Sequence, residues 1–260
     1  MVTTEDKQSI CDANFAYAEQ RVKAVSYFKI RLNELAAPTT PSRAHWIFSP
    51  GRTGSTLLAT YIRATGANVL SECDVHTDLV QKWPAPRNPQ SIAKQINSLF
   101  YPAADEVYVK LRAQCANEPK KLISGGDNVT YLWRGAESWY RSQARLFGGN
   151  PERLASFLAK AIRLRLELEE SGQPVKDLFY EDLLHDPDST LNRLDIDLGG
   201  MFHIANDQDV QENTPVSRSN ENFPVTAKAI EQFSKFFELN IDSLSRSLPR
   251  AKWLYEKLTP

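Results

Sequence analysis

The chain has 260 residues, 42% of them hydrophobic and 24% charged, with 31 basic side chains against 32 acidic ones. That length buries a core without metal or disulfide support and fits one large α/β domain or two small ones. The balanced charge argues against a duplex nucleic-acid binder, which carries a basic excess, but leaves room for a local anion pocket. Cys11, Cys73 and Cys115 are odd in number and in no CxxC or Cys/His pattern, so neither a disulfide framework nor a metal site is expected. The opening MVTTEDKQSI lacks the basic start and apolar stretch of a signal peptide. No uncharged apolar run approaches the ~20 residues of a membrane span, so no membrane partner and a cytoplasmic location are expected.

Taken in chain order, Val22, Val25, Phe28, Lys29, Leu32 and Leu35 recur at three- and four-residue steps. This spacing predicts an amphipathic helix between Thr4 and Leu35, closed by the connector Pro38 to Arg43. From His45 onward, short apolar runs alternate with helical stretches. HWIFS, ANVLS, VYVKL, VTYLW and VKDLFY read as strands, while TLLATYIRA, AESWYRSQARLF and ERLASFLAKAIRLRLELEE read as helices. That alternation predicts βαβ units and a mostly parallel central sheet flanked by helices. Asp186-Pro187 is an N-cap followed by Pro at the first helical position, and Gly199-Gly200 closes the element. Lys82 to Ser91, with three prolines in ten residues, reads as irregular structure, and Asn206 to Thr226 as a long polar loop, either a lid or disordered. The expected layout is one domain: 1–37 an N-terminal helical segment, 45–200 the core, 201–260 the polar loop and C-terminal helices.

The densest chemical signal is Ser49-Pro50-Gly51-Arg52-Thr53-Gly54-Ser55-Thr56, set between a strand and a helix. Gly51 and Gly54 allow a tight turn and close approach to a ligand, and the helix behind them presents free N–H groups. Thr53, Ser55 and Thr56 add hydroxyl donors, and Arg52 adds a forked cation suited to phosphate or sulfate oxygens. A nucleoside-triphosphate loop needs GxxxxGK[ST]; aligned on Gly54, its first glycine falls on Ser49 and its lysine on Ser55. Without the lysine that reaches the β/γ-phosphates, the loop reads as a seat for a different anion.

This loop resembles the 5′-phosphosulfate loop of sulfotransferases that use 3′-phosphoadenosine 5′-phosphosulfate (PAPS), closest to the tyrosylprotein, carbohydrate and bacterial type. Two further segments carry the resemblance. In that family an Arg ends a later strand and a Ser eight residues on lies in the next helix, both on the 3′-phosphate; here Arg134 and Ser142 have that spacing. Gly135-Ala136 departs from the family's usual Asp/Asn-Pro. Phe179-Tyr180-Glu181-Asp182-Leu183, followed by Asp186-Pro187 and Leu198-Gly199, is similar to the family's YEDL…DP…LG segment. The resemblance spans Trp46 to Gly200 and implies a fold of the P-loop nucleotide type, use of PAPS without a metal, and release of 3′-phosphoadenosine 5′-phosphate (PAP).

Sulfuryl transfer rests on positioning and charge stabilisation, as phosphoryl transfer does. It needs a cation for the leaving oxygen, for which Arg52 is the candidate, and a base for the acceptor. Glu72, after the second strand, is the base that the resemblance favours; His76 competes, because aryl sulfotransferases use His. Lys110, near the end of VYVKL, either assists the sulfate or is an edge-strand charge. Arg218, in the long polar loop, is either a clamp on the nucleotide or a solvated side chain. Two other functions stay open: a small kinase or nucleotide hydrolase with a degenerate loop, and a PAP-binding module without turnover. Glu72, Asp74 and Asp78 lie close beyond the loop and read either as favouring a cationic small-molecule acceptor or as solvated carboxylates at a helix N-terminus.

Overall fold

A computed structural model describes residues 43–81, 87–102, 104–197 and 223–260, together with residues 2–3, 13, 16, 22 and 26–27 of the N-terminal stretch. Five parallel strands form the central sheet: β1 (Arg43–Phe48), β2 (Val69–Ser71), β3 (Glu106–Lys110), β4 (Asn128–Trp133) and β5 (Val175–Phe179). Their order across the sheet is β2-β3-β1-β4-β5. All five lie where the apolar runs predict strands, and the pairing is parallel throughout. The fold is therefore the expected α/β, P-loop-like architecture.

The strands are continuous apolar runs because both faces of the sheet are covered. Alternate residues of β1 and β4 point to opposite sides. Trp46, Phe48, Tyr131 and Trp133 enter one core, while Ile47 and Leu132 enter the other. The second core is closed by α1 (Ser55–Ala64), which contributes Leu57, Leu58 and Ile62, and by Leu191 of α7 (Pro187–Asn192), which follows α6 (Tyr180–His185). The first core is covered by α4 (Ala136–Phe147), α5 (Pro151–Glu170), α8 (Ala227–Ser245) and α9 (Arg250–Leu258). Phe233 of α8 stacks on Tyr140 of α4 at 4.5 Å between centroids, fixing the C-terminal helices to the core. One buried polar group ties the layers together. Asp177 of β5 accepts from Trp133 Nε1 at 2.8 Å and from Arg165 Nε of α5 at 3.0 Å.

Two local expectations change. Pro89, Gln90 and Ser91, read as irregular, open α3 (Pro89–Phe100): proline sits at the helix start, where its missing N–H costs nothing. Residues 82–86 lie outside the described residues, as does the expected Gly199-Gly200 closure. The N-terminal helix does not run through Ser26–Tyr27, which pair antiparallel with Val2–Thr3. Val22 is helical but 78% exposed, not part of a buried stripe. The aromatic and β-branched cluster around Tyr27 favours extended backbone over helix. The rest of that segment lies outside the described residues. Among the described residues no helix is long and apolar enough to cross a membrane.

Candidate functional site

The strand order reverses at β1, and in open α/β sheets such a point opens a crevice beyond the carboxyl ends of the strands. A cleft of about 590 Å³ lies there. Each strand delivers one lining element to it: the Ser49–Gly54 loop after β1, Glu72 after β2, Arg112 after β3, Arg134 after β4 and Tyr180 after β5.

The loop after β1 turns through glycines with left-handed backbone, Gly51 at φ 79° and Gly54 at φ 81°. A Cβ at Gly54 would stand 2.3 Å from the Tyr180 ring, so only glycine fits. Helix α4 holds the loop from one side. Trp139 Nε1 donates to Gly51 O at 2.8 Å, Gln143 Nε2 donates to Pro50 O at 3.1 Å, and Arg52 Nε donates to Ser142 Oγ at 3.2 Å. The first turn of α4 is completed by Glu181, whose Oε1 accepts from Gly135 N at 3.0 Å.

Across the cleft, Glu72 receives Lys110 Nζ on Oε1 at 2.6 Å, and the same ammonium reaches Thr56 Oγ1 at 3.0 Å. Lys110 is 1% exposed. Burial pulls it below the usual lysine range, opposed by the Glu72 carboxylate. Because β3 has neighbours on both sides, Lys110 is not an edge-strand charge. Glu72 stays within the sheet's bonding pattern through its backbone N, which donates to Lys110 O at 2.7 Å. Next to this pair, Arg112 and Asp74 bond at 2.8 Å. Glu72 and Asp74, two of the carboxylates that suggested a cationic acceptor, are thus met by Lys110 and Arg112.

The structure gathers Gly51, Arg52, Gly54, Ser55, Thr56, Glu72 and Arg134 around the cleft, with Lys110 buried behind it. Three expectations change. His76 is fully buried on α2 (Asp74–Gln81), edge-on to Trp46 with centroids 5.5 Å apart, and faces the core instead of the cleft. Its place follows from the helix repeat, since His76, Leu79 and Val80 share one buried face. Desolvation lowers its pKa to about 4. Thr53 is fully buried too, and its Oγ1 has no partner among the described residues. Arg134 and Ser142 do not meet: Arg134 Nε donates to Ser138 Oγ at 3.1 Å, one turn nearer, and its NH1 group to Arg52 O at 3.4 Å. Its guanidinium lies over the Tyr180 ring, 4.5 Å from the centroid. Arg218 lies outside the described residues.

Trp139, Gln143 and Arg153 belong to the site without being candidates from the sequence, and Tyr180 enters the sequence reading only within the YEDL-like segment. The first two lie beside Ser138 and Ser142 on one helical face, so the i, i+4 repeat from Arg134 onward was the available signal. Among the described residues no group of three or more His, Cys, Asp or Glu is gathered to hold a metal ion.

No family model and no curated protein matches the chain. Among solved structures, it is similar to the sulfotransferase domain from the Synechococcus PCC 7002 olefin synthase. The identity is 15%, the alignment covers 82% of this chain and 98% of that one, and the TM-score is 0.49.

Proposed function

We propose that the protein is a sulfotransferase that moves the sulfuryl group of PAPS to a hydroxyl or amine of a small-molecule acceptor. One observation carries this reading: an anion-shaped glycine loop bearing Arg52, a second cation Arg134 and the carboxylate Glu72 line one cleft at the ends of three strands. The residues suit the donor substrate. Gly51 and Gly54 leave the loop backbone free of side chains, α1 begins directly behind it, and Thr53 Oγ1 is an unmet polar atom within it.

PAPS supplies a sulfuryl group already joined to a good leaving group. Arg52, Ser55 and Thr56 would hold its phosphosulfate end, and Arg134 the 3′-phosphate, a bidentate role that guanidinium suits. Glu72 takes the proton of the acceptor as the new bond to sulfur forms. Arg52 meets the charge left on the departing phosphate oxygen. Lys110 bonds both the Glu72 carboxylate and Thr56 Oγ1, so the base and the loop are held by a single buried ammonium.

Calorimetric titration with PAP, alongside ATP plus Mg²⁺, tests the reading on the native chain and on Arg134→Ala. Micromolar PAP binding without metal, weakened at least ~10-fold in Arg134→Ala, is expected from the loss of a charge-assisted contact. Binding of ATP that requires Mg²⁺, with PAP ignored, would instead favour a phosphoryl-transfer enzyme.

A further inference from the structure

The cleft has two ends, laid out along α4. Arg134 precedes the helix and Phe147 ends it; thirteen residues at a helical rise separate them by about 20 Å. The glycine loop meets the middle of the helix, at Trp139, Ser142 and Gln143. Away from Arg134 the lining includes the apolar Phe147, Leu154 and Phe157 of α4 and α5, together with Leu111, Ala113, Gln114 and Asn117 of the segment after β3. Gly148 (φ 63°, ψ −169°) joins α4 to the segment before α5 in a conformation almost restricted to glycine. The turn thus passes this end of the cleft without a side chain, and the apolar residues form the wall.

One charge stands at the rim of that apolar end. Arg153 lines the cleft and is exposed, and among the described residues its guanidinium meets no carboxylate; only its backbone N is engaged, donating to Asn150 Oδ1 at 3.2 Å. The inner cations differ, since Lys110 is met by Glu72 and Arg112 by Asp74. Arg153 also lies in the first turn of α5, where a cation opposes the helix dipole, so helix stability does not account for it.

We infer that this end of the cleft takes an amphipathic organic acid as sulfuryl acceptor: its hydroxyl at Glu72, its apolar body against Phe147, Leu154 and Phe157, its carboxylate on Arg153. The inference rests on reading the cleft as a sulfuryl-transfer site. Arg153 is a specificity-determining residue in it and touches no reacting atom. An apolar wall ending in one unmet cation complements an anionic amphiphile and disfavours an amine of the same shape.

Three phenols of matched size test this on the PAP-saturated protein by calorimetry: 3-(4-hydroxyphenyl)propionate, its methyl ester, and tyramine. The propionate is expected to bind at least ~10-fold tighter than tyramine, with the ester between them, about the worth of one charge-assisted hydrogen bond. Arg153→Ala should bring the three affinities together, and Arg153→Glu should place tyramine first. Equal or tighter binding of tyramine by the native chain overturns the inference. So does an Arg153→Ala variant that weakens all three alike, or an absence of binding by all three at millimolar concentration. The preceding PAP titration reports on the donor seat separately. If PAP does not bind, the sulfotransferase reading fails by itself, and the three phenols are then titrated into the ligand-free protein with the same outcomes.

Discussion

Arg52 and Glu72 both hold left-handed backbone, at φ 57° and 54°. A non-glycine residue pays roughly 1–2 kcal/mol for that conformation. They keep it because their neighbours fix them: Arg52 O accepts from Arg134, and Glu72 N donates to Lys110 O. Backbone strain that a fold retains on two residues lining one cleft points to a use for their aim. Glu72 is also half of an ion pair whose other half is almost fully buried, and this makes its substitution informative. Glu72→Gln removes the carboxylate that the Lys110 ammonium meets at 2.6 Å. The expected loss lies toward the lower end of the ~3–5 kcal/mol of a broken buried pair, because Glu72 keeps 16% side-chain exposure. Adding Lys110→Met removes the buried ammonium as well and should restore most of that stability in urea unfolding. Sulfuryl transfer should stay at least ~10²-fold down in both variants, since both lack the base. A double variant no more stable than Glu72→Gln would show that the charge pair does not hold the two strand ends together.

Helix α4 and the loop after β1 act as one unit, because three side chains of the helix bond to three successive loop residues. Gly54 is where this unit meets β5, with the Tyr180 ring against its Cα and Arg134 stacked on that ring. Gly54→Ala must therefore displace Tyr180, and with it Arg134, besides adopting φ 81°. Gly66→Ala is the matched comparison, since Gly66 has φ 83° and nothing within 4 Å of a Cβ. Gly66→Ala is expected to cost about 1 kcal/mol in thermal unfolding and to leave PAP binding unchanged. Gly54→Ala should cost more and weaken PAP at least ~10-fold; equal behaviour of the two variants would separate Tyr180 from the nucleotide seat. The elements themselves were legible in the sequence. Parallel strands covered on both faces are unbroken apolar runs, and AESWYRSQARLF carries the helix repeat over its full length. What the repeat does not report is which backbone carbonyl a buried Trp139 or Gln143 will meet, because that depends on where the strands bring the loop. His76 shows the opposite: its spacing from Leu79 and Val80 already implies a buried face, and its chemical type alone does not place it in the cleft.

Across the molecule, the sheet places its reactive side chains at the carboxyl ends of the strands and its buried titratable groups below them. His45 of β1 stacks on Tyr108 at 4.7 Å and pairs through Nε2 with Thr130 Oγ1 at 2.9 Å. His76 packs edge-on to Trp46 in the core. Burial lowers both from an ordinary value of 6.5 to about 4. For His45 the Lys176 charge adds to burial; for His76 Asn97 and the Ala93 backbone oppose it, and neither ring nitrogen reaches a hydrogen-bond partner among the described residues. Both rings are thus neutral in the folded chain at pH 5, while most copies of the unfolded chain hold a proton there. The unfolded state binds more protons between pH 6.5 and about 4, so stability rises with pH in that window. Their contribution is complete above the unfolded value and is lost as the pH falls through the window, by up to ~1.4 kcal/mol per pH unit for each histidine. Urea unfolding at pH 7 and pH 5 should therefore differ by about 2 kcal/mol per histidine from this source. His76→Leu removes one of the two, and the variant should lose about half of that histidine-linked dependence. It should also gain on the native chain as the pH falls, because leucine binds no proton in the unfolded state. A His76→Leu variant whose pH dependence matches the native chain would mean that the ring is protonated, or solvated, inside the fold.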